Sequence, residues 1–378
     1  MRLIKFALPD VQEEDIAAVT QVLRSGRLTE GPQVEAFEQE FAAFLHGDCY
    51  AIAVSSCWAA LYLSWLALGM GPGDEVICPA LTHVATAHAI TMTGATPVFV
   101  DCDPQTGTVT AALIEPLITG RTRGICVMDY VGNPCDAVPI LCLAEAHGLV
   151  VVEDAATACG ALYSGKPIGW GAHCAAFSFY PAKHITTGEG GMFVTRHQWL
   201  ADTVRKMRAF GITKNPVYDV PLLGANYRMS EMQAALGRGQ LRRFPQALEK
   251  RRQNWRTLAN RLIPMCPPDV QVITSDHGGK HTAAHAAYCV VMQLVGRIAG
   301  RRDILREHLK KAGIETSVYY PRAMPDLTCY RAPQPDDWWA YRHTREIVVS
   351  SLALPCYQQL TESDMVYIAD QVEEGLPR

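Results

Sequence analysis

Apolar positions recur along the chain in two rhythms. Short continuous runs occupy 50–54, 75–78, 96–100, 123–128, 149–153, 174–179 and 191–195, lengths that suit strands buried on both faces. Amphipathic segments separate most of them, at 58–69, 83–93, 110–117 and 137–146, and turns such as Gly71-Pro72-Gly73-Asp74 punctuate the pattern. Strand–helix alternation over this length predicts a mainly parallel sheet covered on both faces. Ahead of it, Val11 to Asp15 opens one helical segment. Pro32 to Phe44 reads as a second, with Phe37, Phe41 and Phe44 at helical spacing and a polar loop, Arg24 to Gly31, in between.

After about residue 245 the pattern changes. Arg242, Arg243, Lys250, Arg251, Arg252 and Arg256 fall on what reads as a long exposed helix. A smaller unit follows, with a strand at 288–292, helices near 300–311 and 361–374, and a loop at 275–280. The expected division is therefore a large unit over 1–245 and a small one over 246–378.

Composition narrows the classes. With 49% hydrophobic and 19% charged residues, the 378-residue chain has the makings of a sizeable core. A net charge of −4 gives no reason to expect nucleic acid. The 13 cysteines are scattered, odd in number and without a C-x-x-C pair, so they read as reduced thiols of a cytoplasmic protein with no metal site. Met1 to Asp10 lacks the apolar core of a signal peptide. The uncharged stretch Cys49 to Gly73 is long enough for a membrane span, but Ser55, Ser56 and the Gly71–Asp74 turn interrupt it. A buried strand, a tight loop and a helix is the better reading, with no membrane partner.

Three chemically loaded loops follow strand candidates, and a parallel sheet gathers such loops at the carboxyl ends of its strands. They are Ser55-Ser56-Cys57, Glu153-Asp154-Ala155-Ala156, and the stretch from Phe177 to Gly191 containing Ser178 and Lys183. Each alone is weak: serine caps helices everywhere, an aspartate ending a strand is often a helix cap, and a lysine in a small-residue loop is usually a solvated charge. Together they fit a cofactor with a phosphate, a ring nitrogen that wants a carboxylate, and an aldehyde that wants an amine.

These residues also carry a resemblance. Leu28-Thr29-Glu30-Gly31-Pro32, Gly71 to Val76, Gly94 to Asp101, Glu153 to Ala156, Phe177 to Gly191 and Asn226-Tyr227-Arg228-Met229-Ser230-Glu231 resemble, in register, the DegT/DnrJ/EryC1/StrS aminotransferases. That is the sugar-aminotransferase branch of the fold-type I pyridoxal-phosphate enzymes. The resemblance implies an α/β, aspartate-aminotransferase-like three-layer fold with a smaller C-terminal α+β domain, and pyridoxal 5'-phosphate as cofactor. It implies that Lys183 carries the cofactor covalently and moves protons, and that Asp154 pairs with the ring nitrogen. Ser178 with the amides of Ser56 and Cys57 holds the phosphate, and His83 covers the ring. Asn226 reaches the phosphate of a neighbouring subunit, which implies a homodimer with shared sites. Thr157 is a further cofactor candidate; Thr29, His184 and Tyr319 are candidates for the substrate. L-Glutamate, giving 2-oxoglutarate, and a keto-sugar are the implied reactants. Three departures stand out: Trp58 replaces a small threonine after the phosphate-binding turn, Thr157 a glutamine or histidine, and Tyr319 a frequent histidine.

Rival readings carry less. Gly69-Met70-Gly71-Pro72-Gly73 ends a helix and lacks the G-x-G-x-x-G spacing of a dinucleotide site. Dehydratases on the same fold lack the attachment lysine. A cofactor-binding regulatory protein without turnover remains a reading of another class.

Overall fold

The computed structural model describes residues 2–45, 47–213, 217–265, 269–274, 283–331 and 338–376. The loop expected at 275–280 lies outside them. Two helices open the chain, α1 (Glu13–Ser25) and α2 (Pro32–Phe44). Next come β1 (Tyr50–Val54), α3 (Cys57–Ala67), β2 (Glu75–Pro79), α4 (Val84–Thr91), β3 (Thr96–Val100), the short α5 (Ala111–Ile114), β4 (Thr122–Met128), α6 (Ala137–His147) and β5 (Val150–Asp154). A small hairpin, β6 (Leu162–Tyr163) and β7 (Lys166–Pro167), precedes β8 (Cys174–Ser178), β9 (Gly191–Thr195) and α7 (Gln198–Met207). Then follow α8 (Glu231–Met265), β10 (Val270–Val272), β11 (Ala283–Ala284), β12 (Val290–Leu294), α9 (Arg302–Lys311), α10 (Arg342–Ser350), β13 (Ser351–Leu354) and α11 (Glu362–Gly375).

The main sheet runs β1-β9-β8-β5-β4-β2-β3. β9 is antiparallel to both neighbours, and the other pairs are parallel. Alternate residues of each strand feed opposite layers, because successive side chains point to opposite faces. Ile52, Val54, Val76, Cys78, Cys126, Val152, Cys174, Ala176 and Phe193 pack with α3, α4 and α7. Ala53, Ala175, Phe177, Met192 and Val194 pack with α2 and α8 on the other side. Both faces are covered, as the unbroken apolar runs require. The uncharged 49–73 stretch is β1, a tight loop and α3. Among the described residues no helix is long and apolar enough to cross a membrane.

Phe37 and Phe41 are fully buried, and Phe41 meets Phe177 of the sheet at 5.3 Å between ring centroids. Two of the motifs turn out to pair with one another. Thr29 bridges Ser230, and the buried Glu231 carboxylate accepts from Gln33 N (2.9 Å) and Val34 N (2.8 Å), satisfying the free amides that start α2.

The C-terminal part builds a second, antiparallel sheet, β10-β12-β13, against the end of α8, α9 and α11. An apolar cluster holding Leu81, Met128 and Tyr130 together with Tyr288, Tyr320 and Ile347 joins it to the main sheet. The expectation of an exposed basic helix is corrected for three arginines. Arg243 binds the buried Asp15, Arg251 is buried with Nε on Gln358 (2.9 Å), and Arg252 binds the carbonyls of Gly160 and His285. The reason is the place of α8: α1 and α2 cover its start and α11 its end, so charged positions on the inward faces find partners instead of water. The basic periodicity marked the helix but not its neighbours.

Candidate active site

At the carboxyl ends of β1, β5 and β8 lies a cavity of about 450 Å³. Ser56, Cys57, His83, Asp154, Ser178, Lys183 and Tyr319 all line it, so seven expected site residues come from five separate segments to one place.

Ser56 is the N-cap of α3, its Oγ accepting from Ala59 N at 3.1 Å. The amides of Cys57 and Trp58 fall in the helix's first turn, where no helical acceptor exists and an anion is favoured. Strand β9 passes hard against this turn: a Cβ on Gly191 would sit 2.4 Å from Ser56 C and 2.5 Å from Cys57 N. Only glycine permits that approach, which accounts for Gly191 at the end of the lysine loop. Ser178 ends β8 opposite Gly191 in register.

Asp154 is 2% exposed and anchored at both oxygens, from Thr86 Oγ1 at 2.7 Å and Ala156 N at 3.0 Å. Thr82 Oγ1 lies 2.7 Å from Thr86 Oγ1, extending the support. No helix follows β5, so the helix-cap reading of Asp154 fails. Lys183 sits on the loop joining β8 to β9, closed by Phe179 N to Gly190 O (2.9 Å) and Thr187 N to Phe179 O (3.0 Å). Its Nζ lies 5.0 Å from the centre of the Tyr288 ring. Burial pushes the Lys183 amine below its ordinary range, partly offset by Cys57 and Asp154, and so favours the neutral, nucleophilic form. His83 caps α4, its Nδ1 accepting from Ala85 N at 3.1 Å, which places the proton on Nε2. Its ring stands edge-on to Tyr320 at 5.7 Å, and burial lowers its pKa.

Four expected residues lie elsewhere. Thr157 is corrected as a cavity residue: it is 1% exposed and its Oγ1 donates to Asp129 O at 2.9 Å. His184 is likewise corrected as a substrate contact. Its buried Nε2 bonds Ala286 O (2.9 Å), and its ring is wedged between Phe244 and Tyr288, so it backs the cavity wall without entering. Neighbouring position in sequence did not give the side chain's direction. Thr29 and Asn226 are exposed, on the adjoining segments where Arg228 reaches Glu30 (3.5 Å). Neither lines the cavity.

The wall also holds Trp58, marked in the sequence only as a departure, and four residues that sequence reasoning left out: Tyr180, Glu189, Tyr288 and Tyr320. Trp58 stacks on Tyr62 (5.1 Å, 9°) and meets the Tyr227 edge, so the departure from threonine exchanges a hydroxyl for an aromatic wall. Tyr288 and Tyr319 share a hydroxyl contact of 2.8 Å, and burial pushes Tyr319 up to about 12. The Tyr319-Tyr320 doublet was the available signal; Tyr288, at the edge of a strand, gave none. Thr86 was legible only as one helical turn beyond His83.

An anion-binding helix start, an anchored carboxylate and a depressed lysine amine around one cavity fit pyridoxal phosphate group by group. Fold and site together define an aminotransferase of the pyridoxal-phosphate class. The DegT/DnrJ/EryC1/StrS aminotransferase family model matches residues 9–373, and the chain belongs to that family. It is 35% identical to the spore coat polysaccharide biosynthesis protein SpsC of Bacillus subtilis (98% of this chain, 96% of that protein). It is 39% identical to the GDP-perosamine synthase of Caulobacter vibrioides (90% and 89%). The PLP form of Streptococcus pneumoniae Spr1654 superposes with a TM-score of 0.91 at 27% identity over 100% of both chains.

Proposed function

We propose that this enzyme moves an amino group from L-glutamate onto a keto-sugar, nucleotide-linked, in the making of an amino sugar for a surface polysaccharide or secondary metabolite. The observation that carries the reading is the convergence of Lys183 and Asp154 on one cavity above the α3 start. The names of SpsC and GDP-perosamine synthase support the sugar.

Pyridoxal phosphate, when bound, supplies an aldehyde that takes up the amino group and a ring that draws electrons from the carbon losing its proton. The chain's residues do the rest. The first-turn amides of α3 with Ser178 would hold the phosphate. Asp154, held by Thr86 and Ala156 N, would keep a proton on the ring nitrogen. Lys183 Nζ would attach the cofactor, and its amine would carry the proton between the glutamate α-carbon and the sugar carbon, a role that its lowered pKa suits. His83, in the cavity wall, would cover the ring. The residues over 1–245 make the cofactor-binding unit, and those over 246–378 close the cavity with Tyr288, Tyr319 and Tyr320.

Asn226 and Thr29, exposed and outside their own cavity, are proposed to complete the site of a second copy, making the protein a homodimer with shared sites. The described cysteines are free thiols, which supports a cytoplasmic location. The experiment is a two-stage assay. L-Glutamate should release 2-oxoglutarate in the first stage, and the aminated enzyme should then be offered a nucleotide-linked keto-hexose, a free keto-sugar and a cyclitol ketone. Turnover of the nucleotide-linked sugar alone is the expected result. Turnover of a free acceptor would reassign the substrate, and no 2-oxoglutarate would favour a binding protein without turnover.

A further inference from the structure

Behind the active-site sheet face, two carboxyl groups meet in the interior. Asp129 follows β4 and is 0% exposed; Glu153 lies on β5, one residue before Asp154, and is 5% exposed. Each has one oxygen tied to a backbone amide: Asp129 Oδ1 accepts from Cys135 N (2.9 Å), and Glu153 Oε2 from Gly169 N (2.5 Å). Asp129 Oδ2 is buried with no hydrogen-bond partner among the described atoms. A carboxylate oxygen of each residue and Cys135 Sγ all lie within 4.8 Å of one another.

The surrounding titratable groups do not neutralise the pair. Asp154 is on the same strand, and Cys135 and Asp136 come from the segment before α6. Tyr163 on β6 gives its hydroxyl to Asp136. Lys166 on β7, a cation in the wall of the adjoining cavity of about 220 Å³, is turned onto the Trp170 indole with Nζ 2.9 Å from the ring centre. Two adjacent carboxylates in a dry interior repel strongly and lose their hydration, so one of them takes up a proton.

We propose that Asp129 and Glu153 share a single proton, donated through Asp129 Oδ2, and that this pair acts as a positioning element for Asp154 by limiting the negative charge behind it. The part that concerns Asp154 rests on the function proposed above; the shared proton does not.

Burial raises the pKa of both groups, Glu153 to about 7, and the charges of Glu153 and Asp154 raise Asp129 further. Coupling is reciprocal, so a proton on the pair lessens the repulsion between the pair and the Asp154 carboxylate. The sign for stability follows. As pH rises from the ordinary Glu value of 4.5 through about 7, the unfolded chain releases protons that the folded one retains. Folded stability attributable to the pair therefore falls across that window and goes on falling until Asp129 also ionises.

Asp129→Asn replaces the shared proton with a fixed amide donor that does not titrate. Cofactor-free Asp129→Asn should gain melting temperature relative to wild type between pH 5 and pH 8. Glu153→Gln, which retains an acceptor for Gly169 N, should behave alike and covers the case in which the first variant fails to fold. In the cofactor-loaded enzyme, the alkaline limb of the glutamate half-reaction should move up by about one pH unit in Asp129→Asn. A melting difference that is the same at both pH values overturns the shared proton. An unmoved alkaline limb overturns the coupling to Asp154. Wild type unable to use glutamate at all would refute the proposed function while leaving the cofactor-free melting result to stand.

Discussion

Thr86→Val isolates the support of Asp154 without touching the carboxyl itself. Thr86 Oγ1 donates to Asp154 Oδ2 at 2.7 Å in a buried setting, and valine keeps the shape while deleting the donor. A hydrogen bond to a charged group contributes about 1.5–3 kcal/mol. At about 1.4 kcal/mol per tenfold, its loss should slow the glutamate half-reaction roughly ten- to a hundred-fold. The bond from Ala156 N remains, so the carboxyl should stay in place and cofactor binding should weaken much less than the rate. Single-turnover absorbance with L-glutamate reads the rate, and equilibrium titration with cofactor reads the binding. Thr86→Ser restores a hydroxyl and should recover most of the rate. A Thr86→Val rate within twofold of wild type would refute the claim that Asp154 depends on this bond, as would a Thr86→Ser variant as slow as valine.

Other outcomes follow from the same geometry. Lys183→Met should raise the melting temperature of the cofactor-free protein at pH 7, since burial lowers the lysine's pKa. The sign is that folding then disfavours the charged amine, and the gain should shrink toward pH 10.5, where the unfolded lysine also loses its proton; melting scans across that range test it. Gly191→Ala drives a Cβ into the Ser56–Cys57 peptide and should cost at least about 1–3 kcal/mol of stability while weakening cofactor phosphate affinity, measured by urea unfolding and titration. Mixed dimers of Lys183→Ala and Asn226→Ala chains should exceed the activity of the Asn226→Ala homodimer, because one of their sites has both groups intact; activity no higher than that homodimer would place Asn226 in its own subunit's site.

The sequence revealed the large sheet well because parallel strands buried on both faces are written as unbroken apolar runs. The extents of β1, β3 and β9 agree with those runs; the ring-nitrogen candidate, Asp154, ends β5, and the covalent candidate, Lys183, lies on the loop that follows β8. What was lost depended on direction. His184 and Thr157 adjoin or nearly adjoin Lys183 and Asp154, yet their side chains turn into the interior, and no local pattern encodes that choice. The aromatic wall was hidden for another reason: Tyr288 and Tyr320 reach the cavity only because a second sheet docks on the first through the cluster around Tyr130 and Ile347. Arg251 looked like a solvated charge because its partner, Gln358, is over a hundred positions away.

The central claim is that Lys183 carries the cofactor. Reducing the pyridoxal-phosphate-loaded enzyme with borohydride and mapping its peptides by mass tests it most directly. One equivalent of reduced cofactor per subunit on the Lys183 peptide, absent from Lys183→Ala, is the expected result. Cofactor mass on another lysine, or on none while glutamate still yields 2-oxoglutarate, would contradict the account.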